Sequence, residues 1–370
     1  MALDLAALSG RIARARTEAG LTQAELANGA GLDRTAIAKI ETGARGVSAL
    51  ELARIATTVG QRIEWLLTDG PESVVAYRVR RDASSSLAEI NRELERLARD
   101  VEFLAEQVDS LTLAQRDPWE VPRSLAEADE LAARARHALN IQPNAPVLRL
   151  TETLSPLGLL VFVSDLGPNA ADGGTVLLAS GGVSLVNGAS QLGRRRLTAA
   201  HELAHFLVAD DFTVDWRISE GAESDRTEAL FDRFARSFLL PSSALTEYWA
   251  SVSDEGPRAA AVRTASKFQV DMATLATRLT ESGILPREDA HRVRGVQTTK
   301  ADILEYELFV PYELERQILP SVYERAVLSL YRGERISAER ALELLRGKYE
   351  GDDLPPLATP NESELWSILN

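Results

Sequence analysis

Apolar residues recur along this chain with changing periods, and the changes divide it. Over residues 5–67, Ile12, Leu21, Leu26, Leu32, Ile37, Ile40, Leu50, Ile55, Ile63 and Leu66 take spacings that suit short helices around a compact core. After Gly70-Pro71 comes a short extended stretch, SVVAYRVRR. The next positions, Leu87, Ile90, Leu94, Leu97, Val101, Leu104, Val108 and Leu111, alternate spacings of three and four, an a/d register with charges outside it. Asp117-Pro118-Trp119-Glu120-Val121-Pro122 marks a boundary, and SLAEADELAARARHALNI follows as an amphipathic helix. Between 145 and 190 the pattern changes to short apolar runs (LGLLVFV, GTVLLAS, GVSLVNG) bounded by Gly, Asp and Asn, which predicts a small antiparallel sheet. Helical periods then return to the end of the chain. Pro311 and Pro320 act as breakers, Ser337 as a cap, and GDDLPPLATPNESELWSILN forms an acidic, Pro-rich tail.

The pattern predicts a mainly α chain with a small β-sheet (α+β) in four parts. These are a five-helix head at 1–70, a linker at 71–117 with its heptad helix at 87–111, a mixed domain at 118–285, and a helical C-terminal region at 286–370. A stripe as narrow as the heptad register predicts a two-stranded coiled coil, and hence a homodimer.

Composition narrows the chemistry. The 370 residues include no cysteine, so disulfides, thiolate metal sites and Cys nucleophiles are excluded, and a metal site must use His, Asp or Glu. The apolar runs are too short for a membrane span and no signal pattern appears, which predicts a cytoplasmic protein with no membrane partner. The net charge of −14 opposes general attraction to nucleic acid. Residues 1–66, however, carry eight Lys/Arg against seven Asp/Glu, so DNA binding has to come from a local surface of the head.

That head is strongly punctuated. Thr22 is placed to cap a short helix to about Asn28, a turn follows at Gly29–Gly31, and Asp33 is placed to cap a second helix that Gly43 ends. Two short helices joined by a tight Gly-containing turn match the helix-turn-helix of DNA-binding proteins. The segment LTQAELANGAGLDRTAIAKIETGAR resembles the Cro/cI-like (XRE) helix-turn-helix family. The resemblance implies that Gln23 opens the second helix beside the DNA backbone and that Arg34, Thr35 and Lys39 project from the recognition helix of a double-stranded operator reader. It also implies that Arg45 meets a phosphate and that Arg16 and Glu41 form a structural ion pair.

The densest chemistry is His201-Glu202-Leu203-Ala204-His205, which holds two of the four histidines. On a helix, positions i and i+4 share a face, so both imidazoles can grip one metal ion, with Glu202 beside them to polarise a water. A third protein ligand is required, and RTEALFDRFARSFLLP supplies an acidic pair one turn apart, Glu228 and Asp232, on a helix with an apolar face of Phe231, Phe234, Ala235 and Phe238. Glu223 is a rival. His137 and His291 read as surface or satisfied histidines, and Tyr248 is too distant in sequence to assign.

HELAH followed by E-x-x-x-D-x-F-A-x-x-F-L-L-P resembles the ImmA/IrrE metallopeptidases over roughly residues 120–285. The resemblance implies His201, His205 and Glu228 as ligands of zinc (manganese being the other candidate), Glu202 as general base, and Asp232 supporting a ligand from behind. Leu230 and Phe231 depart from the smaller or polar residues of that family. Three functions remain open: a repressor-like regulator whose peptidase domain cleaves a regulatory protein or itself; an antitoxin that neutralises a cognate toxin without proteolysis; and a small-molecule-sensing regulator.

Overall fold

A computed structural model describes residues 5–59, 63–67, 75–78, 84–109, 111, 113, 117–208, 222–308 and 317–357. The breaker Pro311 and the last part of the acidic tail, residues 358–370, lie outside them. The chain divides into two compact units, Met1–Ser73 and Val74–Asn370.

The first unit holds five helices: α1 (Leu5–Glu18), α2 (Gln23–Ala30), α3 (Arg34–Glu41), α4 (Ala49–Thr58) and α5 (Ile63–Leu67). Thr22 starts α2 through a capping box with Glu25, and Gly31 ends it in the left-handed region at φ 65°. Ile12, Leu26, Ile37, Ile40, Ile55 and Leu66 are buried together. Leu50 departs from the expected core and is 64% exposed. Ser48 caps α4, and the inward face then runs through Leu52, Ile55 and Ala56, leaving Leu50 outside.

The second unit is built on a four-stranded sheet in the order β1-β3-β4-β2, formed by β1 (Val75–Arg78), β2 (Leu159–Ser164), β3 (Gly173–Leu177) and β4 (Gly182–Asn187). The expected all-antiparallel pairing is corrected by β2, which runs parallel to β4, while β3 pairs antiparallel with both β4 and β1. Both β2 and β4 are buried almost throughout, as continuous apolar runs covered on two faces should be.

Alternation along β2 sends its residues to two different cores. Leu159, Val161 and Val163 join α7 (Leu125–Ala138), α9 (Leu192–Leu207) and α10 (Ala222–Leu239) in one cluster. Leu160 and Phe162 turn the other way, with Val176, Val183 and Leu185, onto α6 (Ser84–Gln107) and α16 (Ser321–Arg332). Between these elements the chain adds α8 (Leu150–Leu154), α11 (Ser242–Val252), α12 (Pro257–Phe268), α13 (Met272–Glu281), α14 (Arg287–Arg294) and α15 (Lys300–Glu305), and α17 (Ala338–Leu344) follows α16.

The heptad stripe is therefore corrected too. Ile90, Leu94, Leu97, Val101 and Leu104 are 0% exposed, covered by the chain's own sheet and by Tyr323, Val327 and Leu330 of α16. A stripe of period 3.5 specifies an apolar partner surface, and the face of β3 and β4 that carries Val176, Val183 and Leu185, together with α16, supplies one without a second chain. The Leu87 side chain lies outside the described set. No helix among the described residues is long and apolar enough to cross a membrane.

Candidate metal centre and DNA-reading face

The basic run Arg194-Arg195-Arg196 just ahead of HELAH belongs to the same helix. Helix α9 begins at Leu192 and carries the run through its first turns. Arg196 is wholly buried and donates to the Val147 carbonyl, while Arg194 pairs with the buried Asp172 at 2.7 Å. These contacts tie the start of α9 to the segment before α8 and to the residue that precedes β3, ahead of its second half.

On that half, His201 and His205 present their Nε2 atoms to one another at 3.1 Å. Glu228 of α10 closes the group, with Oε2 at 3.1 Å from His201 Nε2 and Oε1 at 3.5 Å from His205 Nε2. One ligand atom from each residue lies within 4.8 Å of the others. Zinc–nitrogen and zinc–oxygen bonds of about 2.0–2.1 Å in a tetrahedron place the donors about 3.3 Å apart, so this set fits a single small divalent ion. Two imidazoles and one carboxylate also match what such an ion accepts, with a position left open.

Asp232, one turn along α10 from Glu228, accepts from His201 Nδ1 at 3.0 Å. That bond fixes the ring with Nε2 turned inward. Burial opposes a charge on His201, but its bonds to Asp232 and Glu228, and the nearby Glu202, outweigh burial and push it up to about 9. Burial likewise raises Glu228, yet the two histidines prevail and hold it below the usual carboxylate range.

Glu202 is fully buried beside the group, and its Oε2 accepts from Thr175 Oγ1 at 2.7 Å. Thr175 Oγ1 in turn lies 2.6 Å from Ser184 Oγ, so β3 and β4 both orient the carboxylate. Gly173 brings β3 close to α9: a Cβ there would stand 2.6 Å from Thr198 Cγ2 and 3.5 Å from Glu202 Oε1. Phe231 packs edge-on against both imidazoles, with centroids 4.7 Å from His205 and 6.3 Å from His201. It thus forms a wall of the group, and Leu230 is buried beside it.

Thr175, Ser184 and the wall role of Phe231 were not assigned from sequence. Alternation in GGTVL places Thr175 on one face of its strand but does not say that Glu202 lies over that face. The Glu223 side chain lies outside the described set. His137 and His291 are exposed, and Tyr248 packs on Phe268 with Lys267 Nζ 3.8 Å over its ring.

In the first unit, Arg34, Thr35 and Lys39 are exposed on α3, with Thr35 and Lys39 one turn apart. Arg16 pairs with Glu41 at 2.6 Å, and Gln23 donates to the same carboxylate at 2.8 Å. Arg45 is engaged by Glu51 at 2.7 Å. Three of the five expected DNA contacts therefore stand open on one helix, while Gln23 and Arg45 are tied to glutamates.

Residues 10–69 match the family profile described as a helix-turn-helix domain, and residues 154–280 match that of an IrrE N-terminal-like domain. No curated protein and no solved structure matches the chain.

Proposed function

We propose that this chain, an XRE-type helix-turn-helix fused to an IrrE N-terminal-like, metallopeptidase-like domain, is a DNA-binding regulator that cuts a regulatory protein in a metal-dependent way. The observation that carries the reading is the convergence of His201, His205 and Glu228, with Asp232 behind one ligand and Glu202 at their side. Zinc, or manganese in its place, supplies Lewis acidity and lowers the pKa of a water when bound there. Glu202 takes the proton from the attacking water and delivers it to the leaving amine, while Thr175 keeps its carboxylate in place. Asp232 holds the His201 ring in the tautomer that leaves Nε2 free to ligate.

On the DNA side, Arg34, Thr35 and Lys39 meet base edges and phosphates of an operator. Gln23 and Arg45 reach phosphate by sharing or exchanging their glutamate partners. Cutting the regulatory protein then couples a signal at one unit to transcription at the operator. The deciding experiment is mass spectrometry of the purified chain and co-purified partners, with and without zinc or manganese, for wild type and Glu202→Gln. Metal-dependent fragments from wild type, absent from Glu202→Gln with metal still bound, are expected. Intact chains throughout would refute cleavage and leave the antitoxin or ligand-sensing reading.

A further inference from the structure

The outer edge of β3 is already occupied, and the occupant is the start of the chain's own linker. Val75, Ala76, Tyr77 and Arg78 pair antiparallel with Val176, Thr175, Gly174 and Gly173. Two of those partners are the residues of β3 that approach Glu202: Thr175 donates to its carboxylate, and Gly173 closes on it. The strand β1 also packs against α9, the helix that carries His201 and His205. An extended peptide on this edge therefore runs past the proton-transferring carboxylate.

From this we infer that β3 is the peptide-binding edge of the candidate peptidase centre and that β1 is its resident competitor. An extended substrate adds to a sheet as an antiparallel strand, using main-chain bonds. The main-chain positions it would use are those β1 now holds, so a peptide from another molecule binds only when β1 has left. A four-residue edge strand has few bonds to lose, which suits a switch rather than a permanent wall. The linker position adds a control: β1 begins just beyond Ser73, where the DNA-binding unit ends. A change at the head that pulls on the linker strips the strand from the edge. The inference rests on the peptidase reading for its purpose but not for its test.

The test measures binding rather than turnover, in the full-length chain with Glu202→Gln so that nothing is cut. The probe is fluorescein-labelled β-casein, an unstructured protein, followed by anisotropy. Tyr77→Pro removes a main-chain donor from β1 and opens the edge. Tyr77→Cys with Gly174→Cys closes it under oxidant, since facing residues of an antiparallel pair have Cα atoms about 4.5–5.5 Å apart, within disulfide range. The chain has no other cysteine to interfere.

With β1 closed about nine-tenths of the time, Tyr77→Pro should bind casein about tenfold tighter than its parent. The oxidised pair should bind at least tenfold more weakly than the same protein reduced. Equal affinities, no binding by any form, or failure of the cysteines to cross-link would each overturn the inference. Failure of the peptidase reading looks different: Tyr77→Pro with Glu202 intact would bind casein and, with zinc present, leave it whole.

Discussion

Leu97→Ala tests whether the heptad helix is an internal core element or a seam between chains. Leu97 is 0% exposed and belongs to the buried cluster that also holds Val183 and Leu185 of the sheet and Tyr323 and Val327 of α16. Truncation removes its buried methyl and methylene groups and leaves a cavity that strands and helices on both sides keep from collapsing. Leu→Ala changes at such sites cost about 3–5 kcal/mol. At about 1.4 kcal/mol per decade, the lower figure is a loss of more than a hundredfold in the folding constant. With a urea slope of about 3 kcal/mol per molar for a unit of this size, the midpoint should fall by about 1 M. Unfolding is followed by intrinsic fluorescence, helped by the buried Trp249, at two protein concentrations twentyfold apart. Arg96→Ala on the exposed side of α6 is the control and should shift stability by less than about 0.5 kcal/mol. The internal-core account requires the same midpoint drop at both concentrations. A Leu97→Ala chain that stays as stable as wild type but dissociates on dilution would refute it and restore the coiled-coil seam.

Asp232→Asn should weaken zinc binding by about 10–100-fold in a chelator-competition titration, because His201 loses its carboxylate acceptor; unchanged affinity would remove Asp232 from the metal centre. Asp129→Asn should destabilise the second unit by about 2 kcal/mol at pH 7, since Arg233 at 2.9 Å, the wholly buried Arg278 at 3.3 Å and Ser237 lose a shared partner. Although burial raises Asp129, its bonds to Arg233 and Ser237 and the nearby Arg278 hold it below the ordinary carboxylate range. Its stabilising effect is therefore complete above that range and is lost as pH falls through its folded pKa. The penalty should shrink in melts run below about pH 4, and a constant penalty would contradict the charge argument. Lys39→Ala should cost about 1–3 kcal/mol of operator affinity if it reads a base edge. If it meets a phosphate, it should lower the salt-dependence slope by about 0.9 instead, and gel-shift titrations over a salt series separate the two.

The parts of the fold that were legible in sequence are those whose chemistry is local. Thr22 and Glu25 lie three residues apart and cap their own helix, so the head's punctuation could be read directly. His201 and His205, like Glu228 and Asp232, need only one helical turn to share a face. What brings the two pairs together is the packing of α10 on α9 through Phe231 and its neighbours, which spacing does not encode. The same limit hid Thr175, whose role depends on which helix covers its face of β3. It also misdirected the heptad stripe, because a row of Leu, Ile and Val is equally satisfied by a second helix or by the apolar face of β3 and β4. The parallel pairing of β2 with β4 escaped for a related reason: an uninterrupted apolar run signals burial on both sides but not strand direction.

The two-sided burial of β2 sets the smallest piece of this protein that can be handled alone. Residues 118–285 look like a natural fragment, since they contain α9, α10 and all the metal-group residues. Cutting there strips away α6, α16 and α17 and leaves Leu160, Phe162, Val183 and Leu185 facing water across one side of the sheet. An apolar sheet face laid bare in this way promotes aggregation. A workable fragment has to begin before α6 and extend past α17, so the metal-group residues, the linker helix and the C-terminal helices must be expressed as one piece.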